Sequence, residues 1–239
     1  MDKYYRIAGL TVKMDTHGYM EHLSIPYQIK SQDKIDFTIV PAREFIAMNM
    51  PTLSDDGIEK LATFRDFALK ILDYDAMPLH SSAIMIDGTA YMFTANSGTG
   101  KSTHVKIWRQ VFGDERVRVI NDDKPVIRFE NGAWYVYGTP WSGKSDMNLN
   151  VRVPLGGVCI LQRGEKNAIS RVAGTDAIAD LFVQTARPKD ADVRFKVLGL
   201  LDMLIEHVPI WKLKCNMDPE AAIVAYEAMS GQKYEGDWK

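Results

Sequence analysis

The chain has 239 residues, a net charge of −2, an apolar fraction of 46% and a charged fraction of 25%. That size suits one large domain or one domain with a small appendage, and the balance is that of an ordinary globular protein. A charge so close to neutral gives no global field for nucleic acid or an anionic membrane, so neither is expected as a partner.

The N-terminus, Met1-Asp2-Lys3-Tyr4-Tyr5-Arg6, lacks the basic-then-apolar build of a secretory signal. No apolar run approaches the ~20 residues that cross a bilayer. Two cysteines, Cys159 and Cys215, sit in apolar or strand-like contexts and read as free thiols of a reducing compartment. The expected location is the cytoplasm.

Residues 1–50 read as short strands, with residues 4–14 and 35–41 mixing β-branched and aromatic side chains at near-alternating positions. Ser54-Asp55-Asp56 has the form of a capped helix start, and Ile58, Leu61, Ala62, Phe64, Ala68, Ile71 and Leu72 follow at helical spacing. That stripe reads as a packing face. Ser82-Ala83-Ile84-Met85-Ile86, Asp87-Gly88 and Thr89-Ala90-Tyr91-Met92-Phe93 together form a hairpin signal. With Asp87-Gly88 as the two-residue turn, Ile86 faces Thr89, and counting outward sets His80 opposite Ala95.

The second strand of this hairpin runs into Thr94-Ala95-Asn96-Ser97-Gly98-Thr99-Gly100-Lys101-Ser102-Thr103, and a helix-like segment, 104–111, follows. Strand, glycine-containing loop, Lys-Ser and helix is the order that wraps backbone N–H groups around polyphosphate. In that reading residues 97–102 cradle phosphate oxygens, with Asn96 and Thr103 flanking. Lys101 reaches the β- and γ-phosphates, and the Ser102 hydroxyl ligates Mg²⁺. Ala95 stands where the strict pattern has its first glycine, which the loop tolerates if the φ there is negative. The competing reading is a glycine-containing turn capped by Ser and Thr.

Residues 117–120 read as a strand reached by a helical crossover, and therefore running parallel to the strand before the loop. It ends in Asn121-Asp122-Asp123. A carboxylate at such a strand end is the second anchor that Mg²⁺ needs, and of two in succession one can hold metal while the other takes a proton. A solvated turn is the bland alternative. Asn131-Gly132 closes a second hairpin that sets Lys124 opposite Thr139 and Asp123 opposite Pro140. Thr139, Ser142 and Lys144 thereby become candidate acceptor-substrate contacts, or simply loop residues.

His80 is placed at the mouth of the loop, where a neutral imidazole could tune an aspartate. His104 is a candidate for phosphate or base contact, or a helix-surface residue. Arg163, Lys166 and Arg171 read either as positive charge for the cleft or as a solvated strand end, the second being favoured, and Trp108 and Trp134 read as packing residues rather than base-stacking platforms. The rest alternates: strands at 157–162, 168–172 and 210–215, helices at 176–186, 193–207 and 219–229, and a polar, frayed tail at 232–239.

The pieces Leu79-His80, Ser97-Gly98-Thr99-Gly100-Lys101-Ser102 and Val119-Ile120-Asn121-Asp122-Asp123 resemble the HPr kinase/phosphorylase catalytic domain, whose wider group includes ATP-dependent phosphoenolpyruvate carboxykinase. The resemblance is most specific over residues 79–144. It implies an α/β fold with a mixed-sheet P-loop core, here at 76–231, and a small N-terminal β-plus-helix element at 1–75. It implies a kinase moving the γ-phosphoryl of ATP, with GTP not excluded, to a hydroxyl. His80 and Asp122 would share proton transfer with Lys101 at the phosphates, and Ser102 and Asp123 would hold Mg²⁺. The division between the two aspartates stays open. The chain is most similar to short, stand-alone relatives found near peptide-modification systems, so a serine on a small protein or peptide is the expected acceptor. Family relatives assemble, which admits a homo-oligomer. A nucleotide-binding sensor without transfer, or an interaction scaffold with a vestigial loop, are the rival functions.

Overall fold

The structure is a computed structural model that describes residues 3–30, 34–186, 188 and 190–236. It is a mixed α/β protein with a large mixed sheet and a small separate one. The small sheet comprises β1 (Tyr4–Ile7), β2 (Leu10–Met14), β3 (Gln28–Ile29) and β4 (Phe37–Ile39), in the order β3-β1-β2-β4. The segment expected as one strand over 4–14 is a hairpin, turned at Ala8 (φ 52°) and Gly9 (φ 78°). Ala is an unusual occupant of a left-handed turn position, which hid the turn.

Two short helices, α1 (Gly18–Ser24) and α2 (Arg43–Asn49), stand where only strands were expected, and neither has a side-chain cap to announce it. In α3 (Asp55–Lys70), Ser54 accepts a hydrogen bond from the Gly57 N–H, the cap that its sequence promises. Phe67 and Ile71 bury against Tyr5, Val12 and Met14 of the small sheet. They also meet Val126, Tyr137 and Trp141 of the chain beyond, so one core spans both sheets.

The nine-stranded sheet has the path β5-β9-β10-β11-β7-β6-β8, with β13 beside β11 and β12 beside β13. Its strands are β5 (Ala76–Pro78), β6 (Ser81–Ile86), β7 (Thr89–Thr94), β8 (Arg118–Asn121), β9 (Val126–Glu130), β10 (Ala133–Tyr137), β11 (Arg152–Arg163), β12 (Ala168–Val172) and β13 (Ile210–Cys215). Both hairpins have the expected register. Ile86 pairs Thr89 and Ser81 pairs Thr94, while Glu130 pairs Ala133 and Val126 pairs Tyr137. Positive φ at Asp87 and Gly88, and at Asn131 and Gly132, closes each turn.

The sheet is covered on both faces, which is why its strands read as near-continuous apolar runs. Ala83, Ala90, Met92, Val158 and Ile160 face α5 (Gly174–Phe182) and α6 (Ala191–His207) through Ala177, Leu181, Val197 and Leu201. Their alternates Ile84, Tyr91, Phe93, Cys159 and Leu161 face α4 (Lys101–Phe112) and α7 (Glu220–Ser230). On that side Trp108 is fully buried among Phe93, Phe112 and Tyr226, a burial worth about 2–3 kcal/mol.

The expected direction of the strand after α4 is borne out. β8 does run in the direction of β7, but it pairs with β6, and the parallel neighbour of β7 is β11. The first hairpin strand already occupies that edge of β7, so α4 carries the chain past it. The tail is also less frayed than its composition suggests. The Tyr234 N–H donates to Glu227 Oε1 at 3.1 Å, and its ring packs on Phe112. Residues 237–239 lie outside the described residues.

Candidate active site at the loop between β7 and α4

The loop leaves β7 at Ala95, which is buried and is not among the residues with positive φ, so the missing glycine costs no backbone strain there. Left-handed or wider geometry falls on Gly98 (φ 79°) and Gly100 (φ 124°). Open space surrounds both α-carbons, so it is the backbone conformation that demands glycine. A turn from the Thr99 N–H to the Asn96 carbonyl (3.2 Å) shapes the tip, and the His104 N–H to the Gly100 carbonyl (2.8 Å) opens α4. The first-turn N–H groups of α4 are without helical partners, an arrangement able to receive an anion.

Lys101 is buried, and its Nζ donates to the Ala95 carbonyl at 2.9 Å. Burial holds its ammonium below the usual lysine range; Asp123 opposes that shift, and Lys124 adds to it. Asn96, Ser97, Ser102 and Thr103 are exposed on the loop and first turn, with Asn96 Oδ1 accepting from Gln184 Nε2 at 3.3 Å. Arg163, expected as a solvated strand end, braces the loop instead: its Nη2 donates to the Gly98 carbonyl at 2.7 Å. Lys166 and Arg171 are exposed, as expected.

The first hairpin delivers His80 to this loop. The Thr94 hydroxyl donates to the His80 carbonyl at 2.9 Å, one step beyond the last paired residues. The imidazole meets Asp123, with Nε2 to Oδ1 at 3.4 Å. The resemblance pairs the histidine with Asp122 and leaves the division between the two aspartates open. Successive residues at a strand end point opposite ways, so only one aspartate can face the histidine. Asn121 fixes the split: its side-chain oxygen accepts from the backbone N–H of both Asp123 (2.9 Å) and Lys124 (2.7 Å). Lys124 Nζ lies 3.0 Å from Asp123 Oδ1.

Gln184 completes the arrangement. Its Nε2 is turned to Asn96, so Oε1 faces His80 Nδ1 at 3.0 Å and assigns the proton to Nδ1. When neutral, His80 then presents the Nε2 lone pair towards Asp123. Burial, with Lys124 and Lys101 beside it, holds His80 below the usual imidazole range; Asp123 and the Gln184 bond pull the other way. Gln184 lies 104 positions from His80, and no local pattern announces it.

Asp122 turns to the segment after β10. Its Oδ1 accepts the Gly143 N–H at 2.7 Å, and its Oδ2 accepts the Ser145 hydroxyl. Neither residue was among the candidates. Two that were are corrected: Thr139 and Ser142 are fully buried. The Thr139 hydroxyl donates to the Lys124 carbonyl at 2.7 Å, and Ser142 Oγ accepts from Asn148 Nδ2 at 3.2 Å, so both hold the segment together from within. Lys144 is exposed, as a rim residue would be.

His104 is not on the helix surface: it is buried and lines the cavity that opens beside the loop. It is buried against Phe93, its Nε2 accepts from Trp108 Nε1 at 2.9 Å, and burial pushes its pKa down to about 3. That cavity has a volume of about 490 Å³, and Thr99, Thr103, His104, Ile107, Arg163 and Met217 are among its lining residues. Among the described residues no helix is long and apolar enough to cross a membrane.

No family model matches the chain, and no curated protein matches it. Among solved structures, the Hpr(Ser) kinase/phosphatase from Coxiella burnetii is similar at a TM-score of 0.34 and 11% identity, over 65% of this chain and 94% of that one. A likeness at that level carries no argument about activity.

Proposed function

We propose that this chain is an ATP- and Mg²⁺-dependent kinase that moves the γ-phosphoryl group to a hydroxyl, with a serine of a small protein or peptide as the acceptor. The observation that carries the reading is the meeting of two structures at one end of the sheet. These are a loop with Gly98 and Gly100 at positive φ that opens α4, and the aspartates after β8, of which Asp123 meets His80 beside that loop and Asp122 turns to the segment after β10.

The residues fit the groups that such a reaction needs. Ser102 is an exposed hydroxyl with no hydrogen bond to another described residue, and Asp123 is a half-exposed carboxylate. Hydroxyl and carboxylate oxygens are the hard donors that Mg²⁺ takes, the remaining positions being left to phosphate and water. Bound there, the cation would neutralise charge that develops on the phosphoryl oxygens. The first-turn N–H groups of α4 orient phosphate, and Lys101 supplies positive charge from a position that its bond to Ala95 fixes. The cavity between α4 and β13 is large enough for a purine and ribose, and does not by itself select ATP over GTP.

Asp122 takes the proton of the acceptor hydroxyl. Gly143 pins its Oδ1, which leaves Oδ2 as the basic atom. His80 lies against Asp123 rather than Asp122, with Gln184 behind it, and orients the Asp123 carboxylate only when its imidazole is protonated. A rival reading, a nucleotide sensor without transfer, draws on one fact: Asp122 Oδ2 is already engaged by Ser145.

Incubation with Mg²⁺, γ-labelled ATP and a pool of serine-containing peptides separates the two. Transfer to peptide is expected, reduced about 10²- to 10⁴-fold by Asp122→Asn with ATP affinity retained. ATP binding with no transfer to any peptide would support the sensor. Neither binding nor transfer would remove both readings and leave the scaffold.

A further inference from the structure

We propose that Ser145 is a self-phosphorylation site, the first hydroxyl that this active site modifies. The inference rests on the kinase reading and adds an acceptor that belongs to the chain itself. Ser145 is exposed, yet its Oγ donates to Asp122 Oδ2, the oxygen left basic once Gly143 occupies Oδ1. An alcohol donating its proton to a carboxylate whose other oxygen is pinned is the ground-state pose of general-base catalysis.

The pose is held by the surrounding structure. Ahead of Ser145, the Ser142 carbonyl accepts from Lys60 Nζ of α3. Behind it, Tyr19 donates to Asp146 Oδ2 at 2.6 Å and Tyr27 to Asn148 Oδ1 at 2.9 Å. The Leu149 N–H then joins the Ile120 carbonyl at 2.9 Å, which ties the segment to the strand that carries Asp122. The serine is therefore presented at the tip of a segment anchored on both sides, by side chains from the N-terminal 60 residues.

The step balances with MgATP as the co-reactant. The Ser145 O–H bond breaks and its proton passes to Asp122. A bond forms between Oγ and the γ-phosphorus, the bond from that phosphorus to the β,γ-bridging oxygen breaks, and ADP leaves. Because acceptor and base belong to one chain, the rate is first order in protein and does not change on dilution.

The test is peptide mass mapping of the full chain after incubation with MgATP, beside calorimetry of ATP binding and an assay for ADP release. One phosphate on Ser145 is expected, formed at a rate independent of protein concentration. It should be absent from Ser145→Ala and strongly reduced in both Asp122→Asn and Lys101→Met, with circular dichroism establishing that each variant is folded. ATP bound or turned over with no phosphate on Ser145 overturns the proposal and leaves the kinase reading standing. Phosphate on a different serine, or a rate that rises with protein concentration, also overturns it. Absence of ATP binding removes the proposal together with the reading on which it rests.

Discussion

His104 offers a perturbation whose size follows from the structure. It is buried against Phe93 and Trp108, with a folded pKa of about 3 against an ordinary value of 6.5. As pH falls through the ordinary value, the unfolded chain takes up a proton here and the folded chain does not. Stability from this group is therefore complete above about pH 6.5 and is lost progressively towards the folded value. From about pH 7 to about pH 5 the loss is about 2 kcal/mol, a sizeable part of a total of about 5–15 kcal/mol. His104→Gln retains an acceptor for the Trp108 N–H and removes the titration. In urea unfolding, with a slope of about 2–3 kcal/mol per molar, the wild-type midpoint should fall by about 0.7–1 M more than the variant's over that interval. Equal losses in both proteins would refute the placement of a neutral, buried imidazole at this position.

Gly100→Ala forces an L-residue to φ 124°, at a cost of about 1–3 kcal/mol, and should lower both the urea midpoint and ATP affinity; an unchanged midpoint would contradict the loop geometry. Gly143→Ala brings a Cβ to 3.1 Å from Asp122 Oδ1 without backbone strain. It should reduce transfer about tenfold or more, the worth of one charge-assisted hydrogen bond, and leave ATP affinity alone; unaltered transfer would show that the orientation of Asp122 is unimportant. Gln184→Leu removes a bond that raises the His80 pKa, so the imidazole titration followed by NMR should move to lower pH, whereas an upward move would contradict the assigned tautomer.

The two hairpins were legible to the residue because Asp87-Gly88 and Asn131-Gly132 admit one turn geometry, and the turn sets every pairing beyond it. That register placed His80 beside the loop from sequence alone. It could not say which aspartate His80 meets, because that depends on how Asn121 turns the chain after β8. Thr139 and Ser142 looked like a polar rim, yet small hydroxyl residues serve equally well as internal ties, and burial decided between the two. Gln184 and Ser145 carry no motif; they matter through contacts made across 104 and 23 positions. The helices α1 and α2 escaped notice because each is seven residues long and lacks a side-chain cap.

The central claim, that the loop between β7 and α4 holds nucleoside triphosphate with Mg²⁺, is tested most directly by titrating ATP into the wild-type chain and into Lys101→Met, each with and without Mg²⁺, in a calorimeter. Saturable binding that requires Mg²⁺ and is lost or greatly weakened in the variant is the expected result. No binding to the wild-type chain, or equal binding to both proteins, would contradict it.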